Sequence, residues 1–206
     1  MLRQIALVIS VVFQPLLIPS LVYGLVFFIV PEASSIPYEL KGRFYSLIVL
    51  STLLIPLITI IGFRLAGAVK SLHMATLGER YIPFTVICIY FALTTYFLRE
   101  KVEFDPILWQ ILLVITAVII GLTVVTFFWK MSAHMTGLGG LLAMVVVMAA
   151  VFPTFRPLYP LLGSIILSGV VASSRLYLNA HRPVEIYAGF LYGFICCYFG
   201  FHYIWT

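Results

Sequence analysis

Arg175, His181 and Glu185 follow one another as Arg-x5-His-x3-Glu between two long apolar runs, in a chain of which only 9% is charged. An arginine or glutamate at the centre of a bilayer costs about 2.5 to 3.5 kcal/mol on insertion scales, so such a cluster belongs at a membrane face or in a wet pocket. Histidine exchanges a proton near neutral pH, and a carboxylate within reach fixes which ring nitrogen carries it. Pro183 suits the first position of a helix and disfavours helical geometry at Arg182. The spacing therefore predicts His181 in the turn before a helix and Glu185 in its first turn, folded back on the imidazole. That pairing leaves the second ring nitrogen as a nucleophile and stabilises the imidazolium that forms. The plainer reading is a juxtamembrane histidine with an acid where first turns favour acids anyway.

Two further clusters carry compatible chemistry. Lys70, His73, Glu79 and Arg80 lie in one short polar stretch ahead of Pro83. Its cations suit phosphate oxygens, and equally suit an ordinary interfacial loop whose long side chains snorkel to water. Lys130, Ser132 and His134 precede Gly137, Gly139 and Gly140. A helix starting there offers the N–H groups of residues 132 to 134 and the positive end of its dipole to an anion, with small residues allowing close approach. Close packing of membrane helices explains the same glycines.

The elements that position these residues follow from composition. A chain of 206 residues that is 63% hydrophobic, with mean hydropathy +1.16, has to be apolar on its outside as well as in its core. We therefore read an all-α integral membrane protein, one polytopic domain over residues 1–206, with six or seven transmembrane helices in one bundle. Seven apolar runs of bilayer length lie at about 5–30, 44–66, 81–98, 106–129, 135–153, 158–177 and 184–205. Pro15 and Pro19 fall inside the first, which predicts a kink, or a break into an interfacial piece and a shorter span; the latter gives six. That first run is too long for a cleavable leader and stays as a span. Pro106 and Pro183 each stand where a helix can start.

With seven spans, Lys70, His73, Arg80, Lys130, Ser132, His134, Arg175, His181 and Glu185 share one face with the N-terminus. The opposite face holds Lys41, Arg43, Arg99, Lys101 and Arg156 with Glu32, Glu39, Glu100, Glu103 and Asp105. The first face reads as a receptor for an anion. Setting its site cations aside, the second is the richer in ordinary loop cations and should be cytoplasmic, which turns the site to the periplasm or exterior. The basic residues are scattered singly, so nucleic acid is not an expected partner. Cys88, Cys196 and Cys197 sit in apolar runs without metal-ligand spacing, and read as small packing residues.

Together the three clusters resemble the signature of the type 2 phosphatidic acid phosphatase superfamily, whose motifs read Lys-x6-Arg-Pro, Pro-Ser-Gly-His and Ser-Arg-x5-His-x3-Asp in that order. Ser174, Arg175 and His181 match the third, with Glu185 in the place of aspartate. Ser132 and His134 match the second, with Met131 for proline and Ala133 for glycine. In the first, His73-x6-Arg80 keeps the spacing, the proline has moved to Pro83, and Lys70 or Lys130 stands in for the ammonium. The resemblance covers roughly residues 70–190. It implies a lipid phosphate or diphosphate phosphatase in which His181 attacks phosphorus to give a phosphohistidine, Glu185 orients it, and His134 protonates the leaving oxygen and then activates water. Arg175, Arg80, Lys70, His73, Lys130 and Ser132 would bind the phosphoryl group, with no metal and no cofactor. Positioning and charge stabilisation suffice for phosphoryl transfer, and the seven carboxylates form no cluster near the site. The expected partners are a lipid phosphate substrate and the bilayer, and the expected location is a bacterial inner membrane with the site facing the periplasm. A protein that binds or transports lipid phosphate with little or no turnover is the alternative, although few polar residues lie deep within the spans. Tyr187, Phe190, Tyr198 and Trp205 on the last span would line lipid access, or simply pack and anchor it.

Overall fold

In a computed structural model of the chain, residues 1–67, 78–101 and 105–206 are described. They form helices joined by short turns, with no strand among them: α1 (Leu2–Val12), α2 (Ile18–Gly24), α3 (Tyr38–Val49), α4 (Ile55–Leu65), α5 (Gly78–Lys101), α6 (Ile107–Thr126), α7 (Ala133–Val151), α8 (Leu158–Tyr177) and α9 (Pro183–Trp205). Seven helical stretches among them are long and apolar enough to cross a membrane. Large apolar side chains lie bare on the outside, Leu93 at 59% and Ile166 at 63% exposure, as lipid as the solvent requires. The fold is that of an all-α integral membrane protein. Its spans reach beyond the apolar runs where polar turns continue a helix; the second begins at Tyr38 and takes in Glu39, Lys41 and Arg43, which a hydropathy ruler leaves out.

The prolines of the first span break it. Gln14, ahead of Pro15, is extended (φ −65°, ψ 153°), so α1 ends with the Phe13 N–H on the carbonyl of Ile9 (3.0 Å). A short 3-10 turn over Pro15–Leu17 leads into α2, and a π-helical turn over Leu25–Ile29 completes the span. In the second span Pro56 leaves a carbonyl one turn earlier without its donor, and the π-helical turn Leu50–Leu54 immediately precedes it.

The described residues form two compact units, Pro19–Trp129 and Met1–Ile18 with Lys130–Thr206. In the first, α5 packs on α6 through paired hydroxyl and thiol groups, Cys88 with Thr123 and Thr95 with Thr116 (both 3.2 Å), and Thr59 of α4 meets the Tyr90 hydroxyl at 3.0 Å. The Tyr23 hydroxyl donates to the carbonyl of Leu108. Asp105 caps α6, its Oδ1 accepting the Ile107 N–H (3.0 Å) and its Oδ2 the Ser35 N–H (2.7 Å). Pro106 is thus the residue before that helix, not its first.

The second unit is built on a parallel pair, α7 and α9, whose backbones touch. A Cβ on Gly189 would lie 2.7 Å from the Ser132 carbonyl oxygen, one on Gly193 would overlap the Thr136 carbonyl, and one on Gly140 would lie 2.8 Å from Cys197 Sγ. The partners advance four residues at a time on both helices, Ser132, Thr136 and Gly140 against Gly189, Gly193 and Cys197. Gly139 likewise seats the carbonyl of Phe190. The glycines after His134 therefore serve helix packing, as their plainer reading had it. α8 packs on α7, and α1 on α8.

Candidate functional site

The site is assembled where α7 begins, α8 ends and α9 begins. α8 stops in a Schellman motif: the Ala180 N–H reaches back to the carbonyl of Arg175 (3.0 Å) and the Asn179 N–H to that of Leu176 (2.9 Å), with Asn179 in the left-handed region at φ 51°. This accounts for the five-residue spacer, because Arg175 occupies the third position from the helix end and His181 is the first residue after the motif closes. Asparagine tolerates that conformation and a β-branched residue does not. Asn179→Val is expected to destabilise the protein by about 1 to 2 kcal/mol, and Asn179→Gly to leave it unchanged or firmer, as read by thermal unfolding in detergent.

Arg175 is 5% exposed, and its guanidinium makes no hydrogen bond or ion pair among the described residues; Nε in particular is buried without a partner. An unpaired buried charge costs several kcal/mol. Charge-assisted N–H···O bonds to an anion offset that cost, and the forked geometry fits phosphate oxygens.

α9 starts at Pro183 with Arg182 extended ahead of it (φ −82°, ψ 155°) and Glu185 in the third helical position. Glu185 Oε2 accepts from His181 Nδ1 at 2.8 Å and from the Arg182 N–H at 3.2 Å. One carboxylate oxygen thus caps the helix and fixes the ring. Glutamate at this position reaches back to the N-cap as in a capping box, so the extra methylene relative to aspartate has a local use. His181 and Glu185 are both buried. With Nδ1 engaged by a carboxylate, Nε2 is the ring nitrogen turned away from Glu185, and it is the one whose chemistry would be that of a nucleophile.

At the start of α7 the Ser132 N–H donates to the carbonyl of Glu185 (3.2 Å), which ties the two helix starts together. That donor is therefore committed, and the expected anion cradle loses one of its three N–H groups. Ser132 is fully buried and its Oγ has no partner among the described residues. Ala133 is the first residue of α7 with helical geometry, so alanine meets no conformational penalty there. His134 stands in the first turn, half-buried, its Nε2 3.0 Å from the carbonyl of Ser10 in α1.

One unit holds Lys130, Ser132, His134, Arg175, His181 and Glu185. Lys130 is half-buried in the segment before α7. Arg80 belongs to the other unit, buried in the first turn of α5 with its guanidinium 6.0 Å from the centre of the Phe84 ring. Lys70 and His73 lie outside the described residues. Sequence reasoning did not foresee Ser10 as a partner of His134, nor the Gly189-x3-Gly193-x3-Cys197 seam. A small-x3-small spacing in an apolar run is a readable signal of helix contact, and it stood unread beneath the more conspicuous aromatic residues of α9.

The helices and this buried polar end define a polytopic membrane protein with a histidine–carboxylate pair at one end of a helix bundle unit. No protein-family model matches the chain, and no curated protein or solved structure matches it either.

Proposed function

We propose that the protein is a membrane phosphatase of the type 2 phosphatidic acid phosphatase kind, hydrolysing the terminal phosphate of a lipid phosphate or diphosphate through a phosphohistidine. The observation that carries this reading is the buried His181–Glu185 contact at 2.8 Å, which follows in sequence a buried Arg175 whose Nε has no partner among the described residues. In the proposed reaction Arg175 and the Ser132 hydroxyl hold phosphoryl oxygens, and His181 Nε2 attacks phosphorus as the bridging oxygen leaves, an ester oxygen in a monophosphate and an anhydride oxygen in a diphosphate. Glu185 balances the charge that develops on the ring. His134 protonates the departing oxygen and later takes a proton from the water that releases phosphate. Lys70, His73, Arg80 and Lys130 are further candidates for the phosphoryl group. The apolar exterior gives the acyl or prenyl chain its solvent, and the site is assigned to the periplasmic side of a bacterial inner membrane.

The test is phosphate release from phosphatidate, phosphatidylglycerophosphate, undecaprenyl diphosphate and a lipid A phosphate in detergent, with and without chelator. His181→Ala is expected to lose at least ~1000-fold in kcat, as removal of a nucleophile does. His134→Ala is expected to lose about 100- to 10000-fold. Wild-type activity that survives His181→Ala sinks the mechanism, and activity lost on chelation sinks its metal independence. The second reading, a lipid-phosphate binder without turnover, draws on the contact of His134 Nε2 with a backbone carbonyl, which occupies one nitrogen of the proton donor.

A further inference from the structure

The break in the first span has a chemical result at His134. A helix leaves its last four carbonyls without backbone donors. In α1 the final backbone bond is Phe13 N–H to the carbonyl of Ile9; Phe13 itself leaves helical geometry (φ −95°, ψ 43°) ahead of the extended Gln14 and Pro15, which turns the Gln14 N–H off the ladder to Ser10. The Ser10 carbonyl is taken instead by His134, from 124 residues further along the chain, at 3.0 Å. A carbonyl only accepts, so Nε2 of His134 has to carry the hydrogen. The residue that supplies this carbonyl is itself buried, at 4% exposure, on a helix that packs against α8, so water competes poorly for the bond.

We propose that α1 is a positioning element of the site: the proline-terminated end of the helix presents the Ser10 carbonyl to His134, fixes the ring as its Nε2–H tautomer, and so holds the imidazole in one orientation for proton exchange with the substrate oxygen and water. Ser10 acts here as a positioning residue through its backbone, and Pro15 is what leaves that backbone available. The catalytic half of the inference rests on the phosphatase reading. The tautomer half does not.

The experiment is 15N NMR of the intact protein labelled at histidine, in micelles, at a pH where the ring is neutral, with the His134 signals assigned by their loss in His134→Asn. Wild type is expected to show a single Nε2–H tautomer at His134. Pro15→Ala, which lets Gln14 turn helical and reclaim the Ser10 carbonyl, is expected to give mixed tautomers. Ser10→Ala, which keeps the carbonyl, is expected to change neither. Independently of any variant of α1, the Ser10 carbonyl 13C signal should move in His134→Ala and stay in place in His181→Ala. An Nδ1–H or mixed tautomer in wild type overturns the proposal, as does a Ser10 carbonyl indifferent to His134 or a tautomer untouched by Pro15→Ala. In the phosphatase assay Pro15→Ala should lower kcat about 10-fold or more with KM unchanged. A wild type that releases no phosphate yet shows the fixed tautomer refutes the phosphatase reading alone; an active wild type with mixed tautomers refutes the role of α1 alone.

Discussion

Phosphate release by Glu185→Gln is expected to be slower than wild type by about 100- to 10000-fold, with helix content and thermal stability little changed. Glutamine keeps the length of the side chain, so one amide oxygen can still cap α9 or accept from His181, but it carries no charge. It also brings a donor NH2 that rewards the wrong tautomer if turned toward the ring. Loss of charge removes the balance for an imidazolium or phosphohistidine, and a wrong tautomer removes the attacking lone pair at Nε2. Glu185→Asp separates the effects in the opposite way. The charge stays, yet the shortened side chain reaches the Arg182 N–H and His181 together only if the backbone gives. Loss of a cap of this kind costs about 0.5 to 2 kcal/mol of stability. Equal kcat values for wild type and Glu185→Gln on an active substrate would remove Glu185 from the mechanism.

Gly193→Val is expected to damage fold and site together, unlike a substitution at a site residue. Even its Cβ would overlap the Thr136 carbonyl; the carbonyl is backbone and the Cβ is fixed by the backbone it is bonded to, so neither can rotate away. α7 and α9 have to separate, at a cost of about 1 to 3 kcal/mol or more for overpacking. The same separation strains the Ser132 N–H bond to the Glu185 carbonyl at the end of the seam. A misplacement of about 1 Å there is enough to cost ~100-fold in rate. Gly163→Ala and Gly169→Ala are the controls: neither glycine has a neighbour within 4 Å of an added Cβ, and both variants should match or exceed wild-type stability. Thermal unfolding and kcat measured on the three variants decide the matter, and a stable, active Gly193→Val would show that the helices do not touch as described.

Much of this was legible in the sequence where local rules dominate. The membrane class follows from bulk hydropathy, and the break in the first span from Pro15. The placement of His181, Pro183 and Glu185 around a helix start follows from proline geometry over a few residues. What was not legible is long-range. The bond between His134 and Ser10 joins residues far apart in sequence and depends on which carbonyl a broken helix happens to leave unpaired. The seam of α7 and α9 depends on which of several small residues face each other. Arg175 announced itself as a charge near the end of a span, but only the fold reveals that it is buried, its Nε without a partner among the described residues. The polar turns of Glu39 and Lys41 were read as loop because hydropathy weighs side chains and ignores the backbone ladder that carries a helix past them.

A row of notches repeated every four residues is nearly self-matching, since sliding α9 by one helical turn along α7 sets Gly189 against Thr136 and Gly193 against Gly140. Packing by small residues therefore brings the two helices together without deciding between neighbouring registers. That decision falls to the end of the seam, where the Ser132 N–H finds the Glu185 carbonyl in one alignment only. The polar end of the pair is in this sense its index mark, and the residues that would handle phosphate also tell the helices where to stop.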